Sequence, residues 1–159
     1  MPNKNLSPAI RQHKNLQLDN QLCFAMYAAS HAMTRSYKRA LAGLELTYSQ
    51  YLVMLVLWER DGIGISEIAN LLDLDAPSVT PLVRRLEAAG MLKRSRVPGD
   101  DRMWSMNVLP KGWAIQQQVA EIQKKMALRT GLSKAEFDQL KTSLLLVSAR
   151  LNLELDKPG

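Results

Sequence analysis

The stretch LLDLDAPSVTPLVRRLEAAGMLKRSRVPGDDR, residues 71–102, decides the fold of this chain. Within it, Asp75 is a good N-cap residue and Gly90 a good terminator, so the segment between them predicts a helix from Ala76 to about Ala89. Wound at about 100° per residue, that helix gathers its apolar side chains in one arc and its polar side chains in the opposite arc. The pattern predicts a helix that packs on a core with one side and offers the other side to a partner.

The polar arc of this helix suits the major groove of DNA. It is short, and one long basic side chain, Arg84, lies near its centre, as a groove about 12 Å wide requires. Arg84 is expected to pair with a guanine edge, and Thr80 and Pro81 are expected to contact thymine methyl groups or phosphates. Because Pro81 has no amide hydrogen, it also predicts a bent or loosely wound first turn. Taken alone, the segment is equally compatible with a generic amphipathic surface helix.

The segments on either side of this helix favour the DNA interpretation. Before it, Ser66 is a good N-cap for a short helix. After it, two segments of alternating polarity, Met91–Val97 and Met103–Val108, predict a β-hairpin with its turn at 98–101. Two helices followed by a basic hairpin have the order of a winged helix-turn-helix, in which Arg102 is expected to enter a minor groove. The residues predicted to bind DNA are Ser78, Thr80, Pro81, Arg84, Arg85, Arg94, Arg96 and Arg102.

Two further helices are predicted before the winged helix. Apolar periodicity indicates a long helix from about Leu18 to Leu41, with Asp19 or Asn20 as its N-cap and Gly43 as its end. The segment Tyr48–Arg60 follows as a second helix. The first of these helices has an apolar stripe that a small winged helix does not need for its own core.

Helical periodicity returns after the hairpin and points to a dimer. Apolar stripes run from Ile115 to Met126 and, after a cap at Ser133, from Phe137 to Leu151. We therefore predict a mainly α fold, an α+β winged helix-turn-helix that forms a homodimer through its N- and C-terminal helices. The expected organisation is a flexible tail at 1–16 and a single domain at 17–159, with the winged helix at about 47–110 and dimerisation helices at about 18–42 and 111–155.

Composition and charge agree with a DNA-binding protein and exclude several classes. The chain has 159 residues, a net charge of +6 and a pI of about 9.6, which suits a polyanionic partner. Apolar residues make up 47% of the chain, enough for a sizeable core, and no apolar run approaches the roughly 20 residues that span a membrane. With one cysteine and two histidines we expect no disulfide within the chain, no metal site and no cofactor, and we expect a cytoplasmic protein with no membrane partner.

The single cysteine, Cys23, is a candidate redox sensor. If Asp19 caps the first helix, Cys23 lies at the fourth helical position, where the positive end of the helix dipole favours a thiolate. Tyr37 follows Cys23 by 14 residues, about 21 Å along the helix, so it can approach only the cysteine of a second, antiparallel copy. A packed and inert thiol is the alternative interpretation. One helical face collects the thiol and several hydroxyls, from Cys23, Tyr27, Ser30, Thr34 and Tyr37.

Residues 71–102 resemble the recognition helix and wing of the MarR family of regulators. The stretches LDNQLCFAMYAAS and LTYSQYLVMLVLWE, together with Tyr37, resemble the organic-hydroperoxide-sensing OhrR branch of that family, in its one-cysteine form. The resemblance covers about Leu16 to Gly112. It departs at residues 76–79, Ala-Pro-Ser-Val, where that branch usually has Ser-Gly-Thr-Leu, and at residues 109–112, Leu-Pro-Lys-Gly in place of Leu-Thr-x-x-Gly.

The resemblance implies a dimeric repressor with a thiol switch. It implies that the Cys23 thiolate of one subunit accepts hydrogen bonds from Tyr37 and Tyr48 of the other, with Tyr27 nearby. It implies a near-palindromic double-stranded DNA operator, which the protein releases when an organic hydroperoxide oxidises Cys23. Because the chain has no second cysteine, a disulfide would need a low-molecular-weight thiol or another protein molecule.

Two other functions remain open from the sequence. One is a MarR-type repressor released by a small phenolic or other ligand, with Cys23 in a structural role. The other is a cysteine peroxidase that uses Cys23 with His31 as a helper, but no third orienting group is evident, and a peroxidase does not need the basic helix and hairpin. We therefore expect the chain not to be an enzyme.

Overall fold

The computed structural model describes residues 13–97 and 99–155, with only the backbone at residues 14, 100–102, 154 and 155. The predicted tail at 1–16 lies mostly outside the described residues. The contacts divide the chain into two compact units, Met1–Gln117 and Gln118–Gly159. The elements are α1 (Leu22–Leu41), α2 (Tyr48–Glu59), α3 (Ile65–Leu71), α4 (Ala76–Ala88), β1 (Leu92–Val97), β2 (Asp100–Val108), α5 (Pro110–Ala114), α6 (Gln116–Arg129) and α7 (Lys134–Leu155). Short 3-10 turns at Lys14–Leu16, Leu18–Asn20 and Ala42–Leu44 flank α1.

The core of the first unit lies between the helix-turn-helix and the hairpin. It is built from fully buried side chains of α2, α3, α4 and the strands, so the apolar arc predicted for α4 is its inner face. The helix α4 packs on both α2 and α3. The turn before α4 places Asp73 in the left-handed region at φ 54°, which lets the chain reverse within a few residues. The buried residues include Met54, Leu57, Ile68, Val79, Val83, Leu86, Leu92 and Met106.

The hairpin is an antiparallel ribbon that is tied to the helices at its base. Its register pairs Leu92 with Val108 and Arg96 with Trp104, and a bulge follows Arg96. Ile63 adds a bridge to Met106, whose amide donates to the Ile63 carbonyl at 2.8 Å. The second strand begins at Asp100, not at Met103 as predicted, because pairing continues through the bulge and leaves a tighter turn. The base of the wing is therefore held in a fixed position against the helices.

The predicted start of the first helix was wrong. Asp19 and Asn20 lie in a 3-10 turn, and α1 begins at Leu22 with Gln21 as its N-cap. The side chain of Gln21 donates back to the carbonyl oxygens of Asn15 and Gln17, which anchors this turn as a separate segment. Cys23 is therefore the second residue of α1 and not the fourth, which places the thiol closer to the positive end of the helix.

Three other boundaries differ from the sequence prediction. Gly43 lies inside a 3-10 turn, and Glu45, at φ 56°, is the left-handed residue that ends this segment. The helix α3 begins after Gly64 and not after Ser66, because the strand-like pairing of Ile63 with the wing ends there. The helical segment after Pro110 is interrupted at Ile115, which separates α5 from α6. By contrast, α2 begins at Tyr48 as predicted, with Thr47 as its N-cap in a capping box with Gln50.

The second unit consists mainly of α6 and α7. Ser133 caps α7 as predicted, since its hydroxyl oxygen accepts from the Glu136 amide and the Glu136 carboxylate accepts from the Ser133 amide. An open apolar groove of about 380 Å³ lies between the two helices, lined by Ala127, Leu128, Leu132, Lys134 and Phe137. Large apolar side chains of α7 remain exposed in the single chain, among them Leu140, Leu144, Leu145, Leu151 and Leu153.

Within residues 13–97 and 99–155, no helix taken singly has the length and apolar character needed to cross a membrane. The stretch Leu22–Leu44 and the helix Tyr48–Glu59 reach that length and composition only together, and they are bent by 73° where they meet.

Candidate nucleic-acid interface and thiol site

The helix α4 presents the polar face that the sequence predicts. Asp75 caps its amino end, with its carboxylate accepting from the Ser78 amide at 3.0 Å, and the hydrogen bonds from Ser78 lower the pKa of Asp75. Ser78, Pro81, Arg84 and Arg85 are exposed, whereas the apolar arc is buried. The polar face of α4 is therefore available to a partner over about two helical turns, from Ser78 to Arg85.

Two residues of this face have a local role in the helix as well. Thr80 is half-buried, and its hydroxyl donates to the carbonyl oxygen of Ala76 at 2.8 Å. Pro81 lies within α4, which continues without interruption to Ala88. The Thr80 hydroxyl thus bonds to the backbone next to the place where the proline removes an amide donor. The predicted bend at Pro81 stays a prediction.

An ion pair fastens the wing to the end of α4. The Nε of Arg94 donates to one carboxylate oxygen of Glu87 at 2.7 Å, and the backbone amide of Arg94 donates to the other at 3.1 Å. The two side chains are 34% and 32% exposed, so the pair is partly shielded from water. Arg94, which the sequence assigned to DNA, is thus also a structural link between the recognition helix and β1.

Further along the wing, two arginines lie close to one aromatic ring. The guanidinium carbon of Arg96 lies 4.0 Å from the ring centre of Trp104, and that of Arg94 lies 5.8 Å from it. Trp104 itself is 42% exposed. The backbone of Arg102 belongs to β2, but its side chain and those of Asp100 and Asp101 lie outside the described part of the chain, so the minor-groove role of Arg102 stays a prediction.

The candidate sensor thiol is accessible. Cys23 is exposed at the second position of α1, on a stretch whose neighbours Leu22, Phe24 and Tyr27 are exposed as well. The ring of Tyr27 lies against the imidazole of His31, with a centroid distance of 4.1 Å and an interplanar angle of 33°. Cys23 and Tyr27 both lie on the first two turns of α1, and the role predicted for Tyr27 at the thiol stays a prediction.

The tyrosines named by the sequence form a cluster, but far from the Cys23 of the same chain. Tyr37, only 8% exposed, lies near the end of α1, and its ring centre is 5.3 Å from that of Tyr48 on α2. The 14 residues between Cys23 and Tyr37 correspond to about 21 Å along a continuous helix. The single chain therefore brings Tyr37 and Tyr48 together and leaves Cys23 outside their reach.

The sequence reasoning missed a third member of this cluster, Tyr51. Its ring stacks on that of Tyr37 at 5.1 Å with an interplanar angle of 21°, and lies 5.9 Å from Tyr48. Burial raises the pKa of Tyr51, and a hydrogen bond with the Tyr37 hydroxyl raises it further; burial also raises the pKa of Tyr48. Both hydroxyls thus keep their protons at neutral pH. The spacing of three between Tyr48 and Tyr51 on a helix was the signal that could have revealed this residue.

Among the residues that the structure describes, no group of three or more His, Cys, Asp or Glu side chains is placed to hold a metal ion.

Comparison with known proteins gives the family. Residues 46–103 match the MarR family, a span that covers α2, the helix-turn-helix and most of the wing. The chain is 41% identical over 135 residues to the HTH-type transcriptional regulator TtmR of Methylorubrum extorquens, covering 85% of this chain and 69% of that protein. It is 33% identical over 130 residues to the organic hydroperoxide resistance transcriptional regulator of Bacillus subtilis, covering 82% and 88%.

A solved structure agrees with these relatives in fold. Reduced AbfR bound to DNA superposes with a TM-score of 0.77 at 31% identity, over 91% of this chain and 99% of that chain. The mainly α winged-helix fold predicted from residues 71–102 is confirmed, and the chain belongs to the MarR family of DNA-binding transcriptional regulators.

Proposed function

We propose that this chain is a cytoplasmic, homodimeric repressor that releases its operator when an organic hydroperoxide oxidises Cys23. The observation that carries the proposal is the separation along α1 of an accessible thiol at one end from a buried tyrosine cluster at the other. Two copies of α1 that cross antiparallel bring the thiol of each subunit to the tyrosines of the other. The relative from Bacillus subtilis, named for organic hydroperoxide resistance, supports the choice of oxidant.

The exposed apolar side chains support the dimer. Leu22 is 64% exposed and Phe24 and Met33 are also open on α1, while α7 exposes a long series of leucines. A monomer seldom leaves so many large apolar side chains in water, and a second copy would cover those on each helix. The N- and C-terminal helices predicted for dimerisation are the ones that carry this surface.

The surroundings of Cys23 in such a dimer favour a reactive thiolate. Cys23 is the second residue of α1, near the end of the helix where the dipole is positive and where an anion is favoured in general. The hydroxyls of Tyr37 and Tyr48 from the second subunit add hydrogen bonds to the sulfur without adding a cation. Because burial raises the pKa of Tyr48, its hydroxyl remains a donor at physiological pH.

The chemistry that we propose is a two-electron oxidation of sulfur. The Cys23 thiolate attacks the terminal oxygen of the hydroperoxide and the O–O bond breaks. The alkoxide that leaves takes a proton from water and becomes an alcohol. Cys23 becomes a sulfenic acid, which condenses with a low-molecular-weight thiol to give a mixed disulfide and water. The apolar side chains around the helix end favour organic hydroperoxides over hydrogen peroxide.

The link from thiol to DNA runs through α2. Tyr37 lies on α1 and Tyr48 and Tyr51 lie on α2, which packs directly on α4. A bulky oxidised Cys23 displaces the tyrosines, and their movement shifts α2 and the recognition helix with it. A dimer must set its two recognition helices about one DNA turn apart, so a shift of a few ångströms prevents both from docking.

The test compares the wild type with Cys23→Ser on a duplex that the reduced protein has selected from a random-sequence pool. We expect both proteins to bind it equally, and only the wild type to release it after treatment with cumene hydroperoxide. Release by Cys23→Ser would refute the proposed sensor and favour a regulator that responds to a small ligand. A monomer that binds the same duplex with full affinity would refute the proposed dimer.

A further inference from the structure

We propose that Trp104 is a positioning residue for DNA binding, which holds the guanidinium of Arg96 against the phosphate backbone between the recognition helix and the wing. The inference rests on the DNA binding of the family and is independent of the thiol switch proposed above. It assigns a function to an exposed tryptophan that neither the fold nor the sensor uses.

The wing gives these side chains a common face. Cross-strand partners lie on the same side of a hairpin, and Arg96 pairs directly with Trp104. Arg94 lies two residues before Arg96 on the same side, and its ion pair with Glu87 points that side toward the end of α4. Trp104 and Arg96 therefore continue the surface of the recognition helix outward along the wing.

The face between α4 and the wing is where a DNA backbone passes. A recognition helix in the major groove and a wing in the adjacent minor groove are separated by one phosphate strand. Phosphate contacts of this kind fix the register of a protein on DNA without reading the bases. A basic side chain on this face of the wing is placed to make one.

The ring of Trp104 restricts the direction of Arg96. The guanidinium carbon of Arg96 lies over the ring of Trp104, 4.0 Å from its centre, which is a cation–π contact. The N–H groups of a guanidinium lie in its plane, which is the geometry in which arginine binds two phosphate oxygens at once. The ring restricts the rotamers of this side chain, which lowers the conformational entropy lost when the guanidinium is ordered on DNA.

Salt dependence of binding is the measurement that reports phosphate neutralisation. The affinity for a fluorescently labelled random-sequence duplex of about 30 base pairs, long enough for two half-sites, is measured by anisotropy between about 50 and 200 mM salt. Arg96→Ala should lower the slope of log K against log salt by about 0.9 for each phosphate that the protein no longer neutralises. Trp104→Leu should weaken binding by about two- to fivefold, and Trp104→Phe, which keeps a ring, by less.

The decisive comparison is the double variant. If Trp104 acts through Arg96, Trp104→Leu should have no further effect on affinity or slope in the Arg96→Ala background. Lys93→Ala removes the same charge from the opposite face of β1 and should change the slope less than Arg96→Ala does. Met103→Ala, at an exposed neighbour of Trp104, should bind like the wild type.

Two outcomes would overturn the proposal. One is an Arg96→Ala slope equal to that of the wild type or of Lys93→Ala. The other is a weakening on Trp104→Leu that persists undiminished in the Arg96→Ala background, which would mean that the ring binds DNA itself or only supports the wing. Trp104→Phe is the conservative variant, since it keeps an aromatic ring beside Arg96 at this position of the wing.

Discussion

Replacing Arg94 by methionine should loosen the wing from the recognition helix. Methionine keeps an unbranched apolar stem in place of the alkyl part of arginine but cannot donate to Glu87, whose carboxylate now receives a 2.7 Å bond from the Arg94 side chain. The backbone amide bond at 3.1 Å to the other oxygen survives the substitution. The change thus removes one charge-assisted hydrogen bond and leaves Glu87 partly shielded without its cation.

The magnitude follows from the partial burial of the pair. A fully exposed ion pair contributes up to about 1 kcal/mol, and a hydrogen bond to a charged group about 1.5–3 kcal/mol. With both side chains about one-third exposed, we expect a decrease of about 1–2 kcal/mol in the free energy of unfolding. For a chain of this length that corresponds to a fall in Tm of about 2–8 °C.

Thermal unfolding followed by circular dichroism, at one fixed protein concentration, measures this decrease. Glu87→Gln is the matched control, because its amide oxygen can still accept from the Arg94 backbone while the ion pair is gone, and it should fall to a similar Tm. An Arg94→Met protein with the Tm of the wild type would show that the ion pair does not hold the wing, and the stabilising role assigned to it would be wrong.

Three further predictions concern other parts of the molecule. If Arg84 pairs with a guanine, Arg84→Ala should weaken binding to a selected operator by about 1–3 kcal/mol and binding to a random duplex by less. Equal weakening on both DNAs would mean that Arg84 contacts a phosphate and not a base. Gly112→Ala should destabilise the first unit by about 1–3 kcal/mol or more in urea unfolding, because the new Cβ would lie 2.3 Å from the Met91 carbonyl oxygen and 2.8 Å from Val108 Cγ1. Gly43→Ala is the matched control, since a Cβ at Gly43 meets nothing within 4 Å. The free energy of unfolding should fall as pH rises above about 10, because the pKa of Tyr51 is raised in the folded protein and the unfolded chain therefore loses this proton first. Tyr51→Phe should make that fall shallower by up to about 1.4 kcal/mol per pH unit. An unchanged slope of stability against alkaline pH in Tyr51→Phe would contradict this prediction.

The recognition helix and wing could be predicted from sequence because their signals are local. Asp75 and the apolar positions Val79, Val83 and Leu86 define the start and the inner face of α4 within a single stretch of chain. The capping pairs Thr47 with Gln50 and Ser133 with Glu136 also lie within one helical turn. Such features depend on neighbours a few residues away, which a sequence shows directly.

The errors occurred where distant segments decide the local structure. The start of α3 depends on Ile63 pairing with Met106, more than forty residues later, and that bridge overrides the good cap at Ser66. Tyr51 belongs to the tyrosine cluster because α1 and α2 pack together, and the link from Glu87 to Arg94 exists because the wing folds back on α4. The bridge from Ile63 to Met106 and the link from Glu87 to Arg94 have no local signature, whereas the spacing of Tyr48 and Tyr51 gave a weak one. Asp19 failed as a cap because Gln21 closes its own turn.

The proposed thiol switch is best tested by measuring oxidation of Cys23 and release of DNA in the same sample. The reduced protein on its selected duplex receives cumene hydroperoxide in increasing, substoichiometric amounts; anisotropy reports the bound DNA, and intact mass with peptide mapping reports the fraction of Cys23 oxidised. We predict that the released fraction rises with the oxidised fraction, and that a dithiol which reduces Cys23 restores binding. DNA released while Cys23 remains a thiol, or DNA still bound when Cys23 is fully oxidised, would contradict the proposed switch.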